Sequence, residues 1–197
     1  MKKTLILLIL ANVLFAGDLV YSSVVKSVSI SPNLSDTAGK LLPTNAIEIL
    51  EKKDGVVKFA TTGYQNPKSP NIVYFTPKAR ILVVSFAKTK MPEFEVLGDE
   101  DGFKKVKLIA YTNDGDFSAN LDEMFAEANT KFMENCGTCH PPHLGHTQVA
   151  NRWPALIKSM QARTPLNQDE IWTITQFLQK HSKDFNIKEI KWKDEVF

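Results

Sequence analysis

The chain is short of cysteine, of net charge and of long apolar runs. Two cysteines in 197 residues are too few for the multi-bridge framework of a small secreted scaffold. Lysine and arginine number 24 against 22 acidic residues, and Lys2 and Lys3 alone account for the excess. A mature chain near neutrality lacks the basic field of a nucleic-acid binder, so no nucleic-acid partner is expected. No apolar run reaches the length of a comfortable membrane span. Internal repeats and low-complexity tracts are absent. Histidine is missing from the first 139 residues; the four histidines stand at 140, 143, 146 and 181.

The chain opens on Met1-Lys2-Lys3 and an apolar run over residues 4–15. A short positive head before a short apolar run is the layout of a secretory signal peptide, here read as residues 1–17. Cleavage is expected near Ala16 or Gly17, although Leu14 stands where a small residue is usual, so an uncleaved membrane anchor stays open. The expected location is periplasmic.

Composition changes at Asn113-Asp114-Gly115-Asp116. Before it, residues 18–113 read as strands over 19–30, 46–51, 56–64, 72–75, 81–86, 94–97 and 103–111. Asp54-Gly55 and the run Gly98-Asp99-Glu100-Asp101-Gly102 mark turns. Roughly five to seven short strands at this spacing predict a small barrel. Gly39-Lys40-Leu41-Leu42-Pro43, Ile47-Glu48-Ile49-Leu50-Glu51 and Gly55-Val56-Val57-Lys58-Phe59 resemble a bacterial SH3-like domain. That region has neither His nor Cys, and its carboxylates fall in turns or on alternating outer positions, so packing or docking is its expected work.

Both cysteines lie in Cys136-Gly137-Thr138-Cys139-His140. Cys-x-x-Cys-His is the attachment signature of a c-type haem. Two thiols at this spacing form thioethers with the two vinyl groups of one porphyrin. The histidine that follows then ligates the iron as the proximal ligand. One covalently attached haem c is therefore expected, on Cys136, Cys139 and His140. Other chemistries use the same residues. His143 and His146 would complete a Cys2His2 zinc set, and the pair alone could form a redox disulfide. An oxidising compartment argues against zinc, and no βαβ unit surrounds the pair as a thioredoxin-like site would need.

The expected haem region is residues 114–183, with a tail over 184–197. Asn120 with Glu123 resembles a capping box at the start of a helix, whose stripe is Leu121, Met124, Phe125, Ala128 and Phe132. A second helix opens at Arg152-Trp153-Pro154 with Trp153, Leu156, Ile157 and Met160 on one face. A third spans 168–181, capped by Asn167 and Glu170. Candidates for the second axial ligand are His143, His146, Met160 and His181. His143 starts on the proximal side, and His181 reads as a helix cap. Met160 lies beyond the loop on a helix that can reach the distal side, and His146 is the alternative. A thioether stabilises reduced iron.

Three runs carry a resemblance: Cys136-Gly137-Thr138-Cys139-His140-Pro141, Ala150-Asn151-Arg152-Trp153-Pro154-Ala155-Leu156-Ile157-Lys158-Ser159-Met160, and Phe177-Leu178-Gln179-Lys180-His181. With His146-Thr147 between them, they resemble the C-terminal monohaem domain of the pentahaem cytochromes of trimethylamine N-oxide respiration. The SH3-like stretch resembles theirs too. The resemblance implies an electron carrier rather than an enzyme. Its acceptor would be a periplasmic molybdenum-dependent N-oxide or S-oxide reductase. The family's membrane-anchored four-haem module is missing from this sequence, so the donor is expected to be a separate quinol-linked cytochrome or other protein. The fold class expected is α+β, a small SH3-like β-barrel followed by a mostly α-helical cytochrome c domain. Two other functions stay open: a haem-based sensor or ligand-binding protein with a free sixth position, and a zinc-stabilised interaction protein.

Overall fold

The computed structural model describes residues 18–138 and 140–187. The expected leader 1–17, Cys139, and Ile190 and Trp192 of the tail lie outside the described residues.

One antiparallel sheet contains β1 (Asp18–Ser22), β2 (Lys26–Val28), β3 (Gly39–Leu41), β4 (Ala46–Lys53), β5 (Val56–Gln65), β6 (Ile72–Tyr74), β7 (Leu82–Phe86), β8 (Phe94–Glu100), β9 (Phe103–Asn113) and β10 (Phe117–Ser118). Its spine is the β5–β9 pair, in register from Val56 opposite Asn113 to Gln65 opposite Lys104. The hairpins β4–β5 and β8–β9 turn on the two Asp-Gly pairs. Asp54 and Gly55 have φ of 50° and 77°, and Asp101 and Gly102 have 51° and 79°. Left-handed φ at both positions matches the twist of the flanking strands.

The sheet curls because β5 changes partners along its length. Its first half pairs with β4 and its last two residues with β6. Gly63 sits at the changeover, where a Cβ would fall 2.5 Å from the Tyr74 carbonyl. Only glycine lets the two backbones approach so closely. The far flank, β7–β3–β2, comes round until Ser29 and Tyr111 exchange both backbone hydrogen bonds, at 2.8 and 2.9 Å. Val28, Leu41, Ile47, Val57, Phe59, Val84, Val106 and Leu108 fill the enclosed core.

Three α-helices accompany the sheet among the described residues: α1 (Leu121–Cys136), α2 (Trp153–Gln161) and α3 (Gln168–Lys180). Asn120 Oδ1 accepts from Glu123 N at 3.2 Å and caps α1. α3 has a full capping box, with Asn167 Oδ1 accepting from Glu170 N and Glu170 accepting from Asn167 N. Lys131 of α1 reaches Glu170 of α3 at 3.0 Å and Glu127 of its own helix at 2.8 Å. Those bonds raise the Lys131 pKa, while the Asn167 amide and then Lys131 lower that of Glu170.

The expected fold class needs correcting. A small SH3-like barrel followed by a mostly α-helical cytochrome c domain is not what the chain builds. Among the described residues strand outweighs helix, and the sheet is one curled half-barrel with an eight-strand path, joined by three α-helices. The reason is that the helices bury part of their surface on the sheet. One core cluster mixes Ala79 and Ile81 from the β6–β7 loop with Phe125 of α1, Ala150, Phe185 and Ile187. Polar contacts follow the same seam: Gln176 Nε2 donates to Leu82 O at 2.9 Å, and Arg80 N to Asn151 Oδ1 at 2.7 Å. The strand expected over 19–30 also breaks in two. Ser22 Oγ donates to Val24 O at 2.6 Å, and Val25 N turns away to Asp169 Oδ1 of α3 at 2.9 Å.

Candidate functional site

Between α1 and α2 lies a narrow cleft that contains Phe132, Cys136, His140, Pro142, His143, Trp153, Leu156 and Met160 in its walls. Each side chain arrives by a local rule. The apolar stripe of α1 delivers Phe132, which is buried, and then Cys136 as the last helical residue. Gly137 lets the chain leave the helix. A Cβ there would fall 2.5 Å from Met133 O, the carbonyl that accepts the Gly137 amide. Pro141 and Pro142 then hold the chain extended and non-helical. Short 3₁₀ turns at Gly145–Thr147 and Ala150–Arg152 bring it to α2.

Trp153 is the inner wall. It is 1% exposed, meets Phe132 edge-on with ring centroids 6.2 Å apart, and donates its indole N–H to Gly145 O at 3.3 Å. Leu156 and Met160 follow one and two turns along the same face of α2 and pack on the same cluster as Cys136. Three sequence candidates therefore meet: Met160 shares the cleft with His140 and Cys136. His146 is exposed and is not among the lining residues, whereas His143 is. His181 takes the C-cap of α3, with its Nδ1 2.8 Å from Phe177 O and its ring against Phe125 and Phe177. Cys139 lies outside the described residues. Sequence periodicity had placed Phe132 and Trp153 on helix faces, but it gave no sign that the two face each other across a cleft.

The donor atoms are suited to a metal-bearing planar group. His140 Nδ1 lies 3.0 Å from Pro141 O. A carbonyl only accepts, so this contact suits a ring N–H at Nδ1, the tautomer whose Nε2 offers its lone pair to a metal. Burial pushes the Cys136 thiol above its ordinary pKa, so the unreacted sulfur stays protonated. The thioether of Met160 is soft and uncharged. The surrounding walls are aromatic and aliphatic. They leave about 10 Å³ of free space. The residues fit a covalently held haem in donor chemistry.

Comparison with known proteins gives the class first: the chain resembles c-type cytochromes. A family model described as the TorC third cytochrome c domain matches residues 15–102. That span covers β1 to β8 and ends before the cysteine motif, so the family likeness extends into the sheet. Among particular proteins, the chain is 24% identical over 177 residues to the cytochrome c-type protein TorC of Escherichia coli strain K12, covering 86% of this chain and 45% of that one. It is 25% identical over 177 residues to the cytochrome c-type protein TorY of Escherichia coli O157:H7, covering 85% and 48%. Against TorY of Haemophilus influenzae the identity is 23% over 128 residues. The chain thus spans about half the length of the first two curated relatives. These matches bear out the resemblance to the cytochromes of trimethylamine N-oxide respiration over most of the chain. No solved structure matches.

Proposed function

We propose that this protein is a periplasmic electron carrier with one covalently attached haem c. In this reading Cys136 and Cys139 tether the group, His140 is the proximal ligand and Met160 the distal one. Bound haem would supply a one-electron ferric–ferrous couple. The protein's own part is to hold the imidazole through the Pro141 carbonyl, to present the Met160 sulfur from α2, and to keep water from the site with Phe132, Trp153 and Leu156.

One observation carries the reading: His140, Cys136 and Met160 converge on a single apolar cleft, in a chain similar over most of its length to c-type cytochromes. The acceptor proposed is a molybdenum-dependent reductase of N-oxides or S-oxides, with a quinol-linked cytochrome or other protein as donor. The likeness to TorC and TorY supports both roles. The signal-peptide layout of residues 1–17 supports export. Among the described residues no helix is long and apolar enough to cross a membrane.

The test is the visible spectrum of the exported protein in both oxidation states, beside Met160→Ala and His146→Ala. A weak far-red band in the oxidised protein, lost in Met160→Ala and kept in His146→Ala, is the expected result. A low-spin spectrum disturbed only in His146→Ala would replace Met160 by His146. An exported chain with no haem bands would end the carrier reading.

A further inference from the structure

The segment from Asn135 to Gln168 contains no aspartate or glutamate. It includes the cysteine motif, the loop beyond it, and the whole of α2. Its fixed charges are Arg152, Lys158 and Arg163. All three are exposed, and none joins an ion pair among the described residues. The contrast with α1 is sharp. That helix carries Asp122, Glu123, Glu127 and Glu134, and its one lysine is already engaged by Glu127 and Glu170.

The three cations share the solvent side of α2 and its flanks. The exposed positions from 151 to 163 are Asn151, Arg152, Ala155, Lys158, Ser159, Ala162 and Arg163. The buried side is Trp153 and Ile157, with Leu156 and Met160 on the cleft. The same helix therefore shows the Met160 sulfur to the cleft and positive charge to solvent. Between the cations stand only alanine and serine, so nothing bulky holds a partner's surface away. Leu144 and Val149, 48% and 42% exposed, add apolar area within the same acid-free segment.

We infer that the outer face of α2 is a docking surface for a carboxylate-rich patch on a redox-partner protein. This rests on the carrier reading of the cleft behind it. The physics favours an acidic occupant over a neutral or basic one. Unpaired cations over a near-neutral body make a local field rather than a global one. The acidic α1 repels the same partner, so encounter is oriented toward α2. A short-lived redox encounter needs steering and a small contact more than a large interface.

The test uses the full holoprotein on two electrode films, one ending in carboxylates and one in ammonium groups. Direct voltammetry on the carboxylate film is expected, with a response at least about tenfold weaker on the ammonium film. It should also fall as salt rises from about 10 mM to about 150 mM, where the screening length drops from about 30 Å to about 8 Å. The triple variant Arg152→Gln, Lys158→Gln, Arg163→Gln should lose most of the carboxylate response. Lys58→Gln with Lys104→Gln and Lys105→Gln, on β5 and β9, should keep it. Equal response on the two films, no salt dependence, or equal loss in both sets of variants would overturn the assignment. Solution voltammetry with small neutral mediators separates the two proposals. No couple there in the wild type defeats the carrier reading itself, whereas a normal couple with a film-indifferent response defeats only the docking face.

Discussion

Trp153→Ala should cost about 3–5 kcal/mol of stability, the range found for deleting a buried aromatic side chain. For a chain of this size that is a fall in melting temperature on the order of 10 °C. Trp153 is among the largest fully buried side chains, and its neighbours are Phe132, Ile157 and the α3 residues Ile171, Ile174 and Leu178. Lys131 of α1 and Glu170 of α3 also tie the two helices that flank this cluster to each other. The same change also leaves Gly145 O without the indole donor. Urea unfolding of the exported protein measures the loss, and Trp153→Phe should lose less because it keeps the edge contact with Phe132. A loss below about 1 kcal/mol in Trp153→Ala would mean the cleft wall is not part of the core.

The second large effect concerns Lys180. Its side chain is completely buried at the end of α3, and its Nζ donates to Thr44 O at 2.8 Å, Thr44 Oγ1 at 3.0 Å and Asn45 Oδ1 at 3.1 Å. It also stands 4.5 Å from the Phe75 ring centroid. These partners favour an ammonium, yet none bears a formal charge, so they do not offset the loss of water. Burial pushes the Lys180 pKa well below its ordinary value. The sign follows. Between the folded and the unfolded pKa, the unfolded chain binds the extra proton, so stability rises with pH through that window and levels above the ordinary lysine value. Each unit of depression is worth about 1.4 kcal/mol. Lys180→Met should remove that rise. The difference between wild type and variant, taken from urea midpoints at neutral and at alkaline pH, isolates this one group from the other lysines. Parallel pH profiles would show that Lys180 titrates normally. Lys180→Ala should be worse than Lys180→Met at every pH: both leave Thr44 and Asn45 oxygens unpaired, and alanine also opens a cavity.

Local features were legible in the sequence, and distant ones were not. The Asp-Gly turns, the caps at Asn120 and Asn167 and the Trp153–Met160 face follow from rules that act within a few residues, and the structure keeps all of them. The β1–β2 break escaped notice because Val25 is bound to Asp169, far along the chain. The fold class was misjudged for a related reason. Gln176, Gln179 and Lys180 are polar residues of α3, yet all three are buried against backbone carbonyls of the sheet or its loops. A side chain that bonds to a carbonyl leaves no trace in the partner's residue type. Thr44 is the same case: a β-branched residue at φ 61° carries no turn signal, and its conformation is held by Ser22 and Lys180. At the site, residue types marked Cys136, His140 and Met160 as candidates, and the structure places all three on one cleft, while Phe132 facing Trp153 depended on how α1 meets α2.

The Lys180–Thr44 contact has a kinetic consequence. It joins residues 136 positions apart, and Val25 with Asp169 spans 144. Closing loops of that length is entropically costly and slow compared with forming a local helix such as α1, which takes about a microsecond. Pulsed amide exchange during refolding should therefore protect the middle of α1 before the Thr44 turn; simultaneous protection would contradict this order.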